Sequence, residues 1–107
     1  MNNAVVLDPV LLRLKAELAA IYGPRLKQIL LYGSRARGDH REDSDYYVLV
    51  VLEPPFEWWE EVKRLGHISS GHTFDYGAVL SLRPVTPAQL LEHTGFMHTV
   101  RQEARPV

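Results

Sequence analysis

The chain has 107 residues, 46% hydrophobic and 23% charged, with a formal net charge of -1 and no cysteine. That supports one domain over residues 1–107 with a single core. The near-neutral balance argues against a general nucleic-acid binder, and a disulfide, a thiolate metal site and a Cys nucleophile are excluded. No apolar run reaches the length of a membrane span. The stretch MNNAVVLDPVLLRLK lacks the basic start of a signal peptide, so a cytoplasmic location is expected.

Asp8-Pro9 predicts a helix start, because Asp caps free N–H groups and Pro suits the first turn. Leu11, Leu14, Leu18, Ile21 and Tyr22 follow at helical spacing, and Gly23-Pro24 ends the run. Gln28 to Tyr32 reads as a short strand. Gly33 to Ser44 reads as a loop with a helical turn after Ser34. Tyr46 to Leu52 is nearly all apolar, which predicts a strand buried on both faces. Pro54-Pro55 breaks it. A helix is expected from Phe56 to Ser70, with a stripe of Trp58, Val62 and Leu65 flanked by Trp59 and Ile68. Gly71 and Gly77 bracket a turn. Ala78 to Val85 is a third strand, with Val79, Leu80, Leu82 and Val85 apolar. Thr86-Pro87 opens a short helix to Leu91. The tail from His93 to Val107 shows no clear period. The expected class is α+β (α/β two-layer), a small mixed sheet with helices packed on it.

The five histidines include pairs five apart, His67 with His72 and His93 with His98. Helical metal pairs sit four apart, so scattered surface or capping histidines are expected. Trp58 and Trp59 are adjacent and diverge by about a hundred degrees on a helix. Either one is buried and one partly covered, or one belongs to a partner interface.

The chemistry concentrates in LLYGSRARGDHREDSDYYVLVVL, Leu30 to Leu52. Gly33 lets backbone approach a ligand with no Cβ in the way. Ser34 offers a hydroxyl at a turn whose N–H groups suit a phosphate, and Arg35 and Arg37 add positive charge for a nucleotide. Asp45 stands at the mouth of the next strand, where it can supply an oxygen to Mg²⁺. Residue 47 shares its face of the strand, and a carboxylate there would complete a pair for a two-ion site. The residue is Tyr47, and a phenol, neutral at pH 7, is a poor ligand for a hard cation.

Gly33-Ser34, ten residues, then Asp45-Tyr46-Tyr47-Val48 resembles the signature of the DNA polymerase β-like nucleotidyltransferase superfamily. GSRARGDHREDSD is similar to the minimal nucleotidyltransferase domains that serve as antitoxin partners of HEPN-domain toxins. The motif covers about a fifth of the chain; the order of helices and strands and the segment SLRPVTP extend it weakly. The resemblance implies transfer of AMP from ATP, with Mg²⁺ as cofactor, to a HEPN ribonuclease toxin, which is thereby neutralised. It assigns Gly33 and Ser34 to the triphosphate and Asp45 to the metal. Tyr47 falls in the slot of the second carboxylate and Ser81 in that of the third; Asp75 is the only acid just upstream. Transfer by this chain is therefore expected to be impaired. Two alternatives stay open: a catalytically inactive nucleotide-binding or toxin-binding module, and a small-molecule (aminoglycoside-type) nucleotidyltransferase. The latter normally carries a second, acceptor-binding domain, for which 107 residues leave no room. The partners so implied are a toxin protein and a nucleoside triphosphate, with no direct nucleic acid and no membrane.

Overall fold

The computed structural model describes residues 8–107; the first seven residues, part of the stretch read above for a signal peptide, lie outside the described residues. The Asp8 carboxylate accepts from the N–H groups of Val10 (2.8 Å) and Leu11, and helix α1 runs from Pro9 to Tyr22. Leu11, Leu14, Leu18 and Tyr22 are buried. Ile21, expected with them, is 45% exposed: it lies farther from the centre of the stripe than Tyr22, whose ring takes the inward position of that last turn.

Strand β1 is Leu26–Tyr32, two residues longer at its start than the apolar run suggests. One helical turn, α2, follows at Ser34–Arg37. Strand β2, Tyr46–Leu52, lies antiparallel to β1, with Ile29 opposite Val50 and Tyr32 opposite Tyr47. Val48 to Leu52 are all buried, the two-sided burial expected of a continuous apolar strand.

Helix α3, Trp58–Tyr76, departs most from expectation. It passes through Gly71 and stops only at Gly77, whose φ of 68° supplies the left-handed cap. A helix-interior glycine costs about 1 kcal/mol. The helix carries this cost at Gly71, where a Cβ would be in ordinary contact with the Arg13 guanidinium at 3.8 Å. The inward residues are Glu61, Leu65, Ile68 and His72, not the stripe led by Trp58 and Val62. Hydropathy passes over this face because two of its members are polar. Glu61 accepts from the Tyr22 hydroxyl (2.9 Å) and from Arg64. His72, expected at the surface, is wholly buried with Nε2 2.5 Å from Glu17. Trp58 and Trp59 are turned out, 50% and 55% exposed, with ring centroids 6.1 Å apart.

Strand β3 is Leu80–Val85, parallel to β2, with Tyr47 opposite Ser81. Val79, expected inside it, precedes the strand and is half exposed. The Thr86 turn is closed by reciprocal bonds: Thr86 N–H donates to Gln89 Oε1 (2.8 Å) and Gln89 N–H to Thr86 Oγ1 (3.2 Å). It leads into a 3₁₀ turn, Ala88–Leu91. The tail then forms helix α4, Gly95–Glu103, capped by Thr94, and a two-residue strand, β4 at Arg105–Pro106, antiparallel to β1.

The result is a mixed sheet of order β3-β2-β1-β4 with helices packed on it, the expected class. Alternate residues of β2 divide the core. Tyr46, Val48, Val50 and Leu52 meet Leu11, Leu14 and Leu18 of α1 and Leu65 and Ile68 of α3. Leu49 and Val51 meet Leu30, Val85 and, from α4, Met97 and Val100. Among the described residues no helix is long and apolar enough to cross a membrane.

Leu18→Ala should cost about 2–5 kcal/mol in urea unfolding, while Ile21→Ala should change stability by less than about 0.5 kcal/mol. Similar losses for both would mean that α1 is rotated relative to this description. Burial, then hydrogen bonding to Glu61, pushes the Tyr22 phenol up to about 12. Burial, then the bond to Asp8, does the same for Tyr46. Since both are raised above the unfolded value near 10, the stabilisation is complete below about pH 10 and is lost as pH rises towards about 12. In Tyr22→Phe and Tyr46→Phe the decline of stability over that window should be shallower.

Candidate functional site

Gly33 ends β1 and starts the one-turn helix α2, while Asp45 immediately precedes β2. Antiparallel pairing of β1 with β2 and parallel pairing of β2 with β3 then line up Tyr32, Tyr47 and Ser81 in one row across the strands. Gly33, Asp45, Tyr47 and Ser81 are thus brought to the same end of the sheet.

The glycine is needed twice. Its φ of 81° and ψ of -160° lie in a region that is essentially glycine-only. A Cβ there would also stand 3.3 Å from Cδ2 of Tyr47. The Tyr47 ring therefore packs directly on Gly33. Ser34 and Arg35 are the first residues of α2, and their N–H groups have no intrahelical acceptor. The amides of Ala36 and Arg37 both return to the Gly33 carbonyl (3.1 Å).

The two arginines assigned to a nucleotide have different surroundings. The Arg35 guanidinium stacks on the Tyr46 ring (3.9 Å to the centroid) and donates to the carbonyls of Ser44 (2.9 Å) and Glu42 (3.0 Å). Its donors are committed to holding the 39–45 loop against β2. Arg37 is exposed and reaches Asp39 (3.3 Å) and Glu103 (3.4 Å); the bond to Asp39, above all, raises its affinity for the proton. From β4, Arg105 donates to the Ala36 carbonyl (2.6 Å), tying α2 to the C-terminal strand.

Asp45 is half-buried and takes part in no ion pair among the described residues. Among the described residues its side chain accepts one hydrogen bond, a long one from the Tyr47 hydroxyl to Oδ2 at 3.5 Å. Asp75 does not join this row: in the last turn of α3 it pairs with Arg13 of α1. No group of three His, Cys, Asp or Glu among the described residues could hold a metal ion. One carboxylate between a phenol and a serine is not the donor set of a two-ion centre, which needs bridging carboxylates. The residues present do not fit that centre.

Motif reading passed over three neighbours. Tyr32 lies 5.7 Å from Tyr47, and Phe96 of α4 meets Tyr32 edge-on at 5.4 Å. Arg83 of β3 sits over the Phe96 ring at 5.1 Å. Burial raises the Tyr32 phenol pKa and the nearby Arg83 charge partly opposes this. The only sequence signal was strand periodicity, which sets residue 83 on the face of residue 81. Phe96 lies in the tail that carried no pattern.

Gly33→Ala should lower stability by about 1–3 kcal/mol in urea unfolding, because the strained backbone remains whatever the side chain meets. Tyr47→Ala added to it should recover only the part due to the 3.3 Å contact. Full recovery would show that the close approach, not the backbone, sets the cost.

The comparisons with known proteins bear on this arrangement. The family model described as "Nucleotidyltransferase domain" matches residues 11–89. Two proteins of Methanocaldococcus jannaschii are similar. "Putative protein adenylyltransferase MJ0604" is 44% identical over 41 residues, 38% of this chain and 41% of that protein. "Putative protein adenylyltransferase MJ0141" is 30% identical over 67 residues, 63% of this chain and 67% of that protein. The match thus spans less than half of the first relative and about two thirds of the second. Among solved structures, a nucleotidyltransferase of Sulfolobus solfataricus, described as putative, has the same fold (TM-score 0.64, 15% identity, 91% of this chain and 75% of that one). So does a toxin-antitoxin crystallised with AMP-PNP (TM-score 0.56, 17% identity, 86% of this chain and 68% of that one). The motif at Gly33-Ser34 and Asp45, the mixed sheet that carries it and the family match over residues 11–89 agree, and the chain belongs to the nucleotidyltransferase domain family.

Proposed function

We propose that this chain is a cytoplasmic nucleotidyltransferase-family antitoxin whose partner is a HEPN-domain ribonuclease toxin, and that its own transfer of AMP from ATP to that partner is impaired. One nucleotidyltransferase domain, residues 1–107, carries this role. The observation behind the reading is Tyr47. It occupies the slot of the second carboxylate, its ring lies on Gly33, and its neighbour across β3 is Ser81. Gly33, Ser34, Arg35 and Arg37 are the nucleotide side of the site, Arg35 through the loop it braces. Asp45 is the remaining acid of the family's Mg²⁺ position. The similarity to adenylyltransferases and to a toxin-antitoxin structure supports a protein acceptor. In its limit the same observation leaves a module that binds its partner and transfers nothing. Trp58 and Trp59, both half exposed on α3, then suit the bound face, since tryptophan is a frequent anchor of protein interfaces.

Incubation with α-labelled ATP, Mg²⁺ and a candidate HEPN partner should leave the partner unlabelled. Strong labelling that disappears in Asp45→Ala would show that Tyr47 does not impair the site. Tyr47→Asp should restore transfer only in part, because Ser81 still offers no charge. Two like charges two residues apart on one strand face need a bound cation to offset them. Melting of Tyr47→Asp should therefore shift upward with Mg²⁺ more than melting of the unmodified chain does. Equal shifts would mean that residue 47 does not face the ion.

A further inference from the structure

In a site with three carboxylates a divalent ion is needed to bring in a triphosphate, because the acids alone repel it. Here one of the three slots that the resemblance assigns to carboxylates holds an acid, Asp45. Tyr47 and Ser81 carry no carboxylate, and Asp45 is left with a phenol as its side-chain contact. Two residues beyond Ser81, on the same face of β3, stands Arg83. Its side chain is exposed, and among the described residues it makes no ion pair and donates no hydrogen bond; its contact is the Phe96 ring.

Beside that cation is an aromatic surface. Tyr32, Tyr47 and Phe96 pack at centroid distances of 5.7 and 5.4 Å, and Tyr47 and Phe96 are each 39% exposed. Both rings thus keep part of their surface open, and Tyr47 does so at the same strand ends as Gly33 and Asp45. Aromatic faces of this kind stack nucleobases of any sequence, and a guanidinium is suited to phosphate oxygens.

We propose that this site binds a nucleoside triphosphate without a divalent cation, the base stacked on the exposed ring of Phe96, with Tyr47 bordering it beyond Tyr32, and the phosphates held by Arg83. The proposal rests on the reading of this end of the sheet as a nucleotide site. It differs from that reading in the absence of an ion. Arg83 and Phe96 are then binding residues contributed by β3 and α4, outside the Gly-Ser and Asp positions of the motif.

Isothermal titration of the full chain with ATP, once with EDTA and once with excess MgCl₂, tests it. The two dissociation constants should agree within about threefold. Arg83→Gln and Phe96→Ala should each weaken ATP about tenfold or more, the expected loss for a charge-assisted phosphate contact and for one stacked base. Adenosine, which lacks phosphates, should lose affinity in Phe96→Ala but not in Arg83→Gln. Tyr47→Asp should bind ATP only with MgCl₂. Both positions are exposed, and melting curves establish that the variants fold; if Phe96→Ala does not, Arg83→Gln with ATP and adenosine decides. Binding by the unmodified chain that requires MgCl₂, no binding under either condition, or unchanged affinity in Arg83→Gln would overturn the proposal. Partner labelling is a separate measurement. Strong transfer overturns the impaired-enzyme reading whatever the titration gives, and Mg²⁺-dependent binding without transfer overturns only this inference.

Discussion

The burial of β2 on both faces is the constraint from which the rest of the molecule follows. Val48 to Leu52 are 0–1% exposed. A strand in that position must have both edges paired and both faces covered, because an unpaired buried N–H or carbonyl costs as much as a lost hydrogen bond. β1 and β3 supply the edges, α1 and α3 one face, and α4 with the 3₁₀ turn the other. Each such side chain contributes roughly 1.5–3 kcal/mol by leaving water. The site begins where this burial stops, at Tyr47, the one exposed residue of the strand.

Polar groups join these layers at a few positions. Asp8 caps α1 with one carboxylate oxygen and accepts the Tyr46 hydroxyl with the other (2.7 Å). Arg35 stacks on the ring of the same Tyr46. One short chain of contacts therefore links the start of a helix, the start of the central strand and the loop that carries Asp45. Glu61 has a similar part between α1 and α3. It is 4% exposed but is surrounded by the Tyr22 hydroxyl, Arg64 and Arg25. A buried carboxylate is tolerable only with partners of this kind.

The site sits on the family's scaffold, with aromatic and basic side chains around a single glycine turn. Gly33 retains the backbone conformation that permits close approach, but the space above it is taken by the Tyr47 ring. Asp45 immediately precedes β2, and Arg83 with three aromatic rings occupies the neighbouring surface. Fold and chemistry are thereby separable: the sheet needs apolar residues at alternating positions, and that need is indifferent to what residue 47 carries.

By itself the sequence determined the elements whose chemistry is local. Asp8-Pro9 and Thr86-Pro87 announce their turns through capping, Gly23 its helix end, and the run Tyr46 to Leu52 its burial. The Gly33, Ser34 and Asp45 spacing pointed to the family, and Tyr47 stood out as a departure from the motif that the resemblance implies. Only the tertiary structure decided that α3 runs through Gly71, that Glu61 and His72 face inward while both tryptophans face out, and that the tail folds into α4 and β4. These depend on partners far along the chain: Tyr22 for Glu61, Glu17 for His72, and Leu30 and Leu31 of β1 for β4. The cluster of Tyr32, Tyr47, Arg83 and Phe96 was hidden for the same reason. Its members come from β1, β2, β3 and α4, and strand register and helix docking, rather than any spacing in sequence, set them side by side.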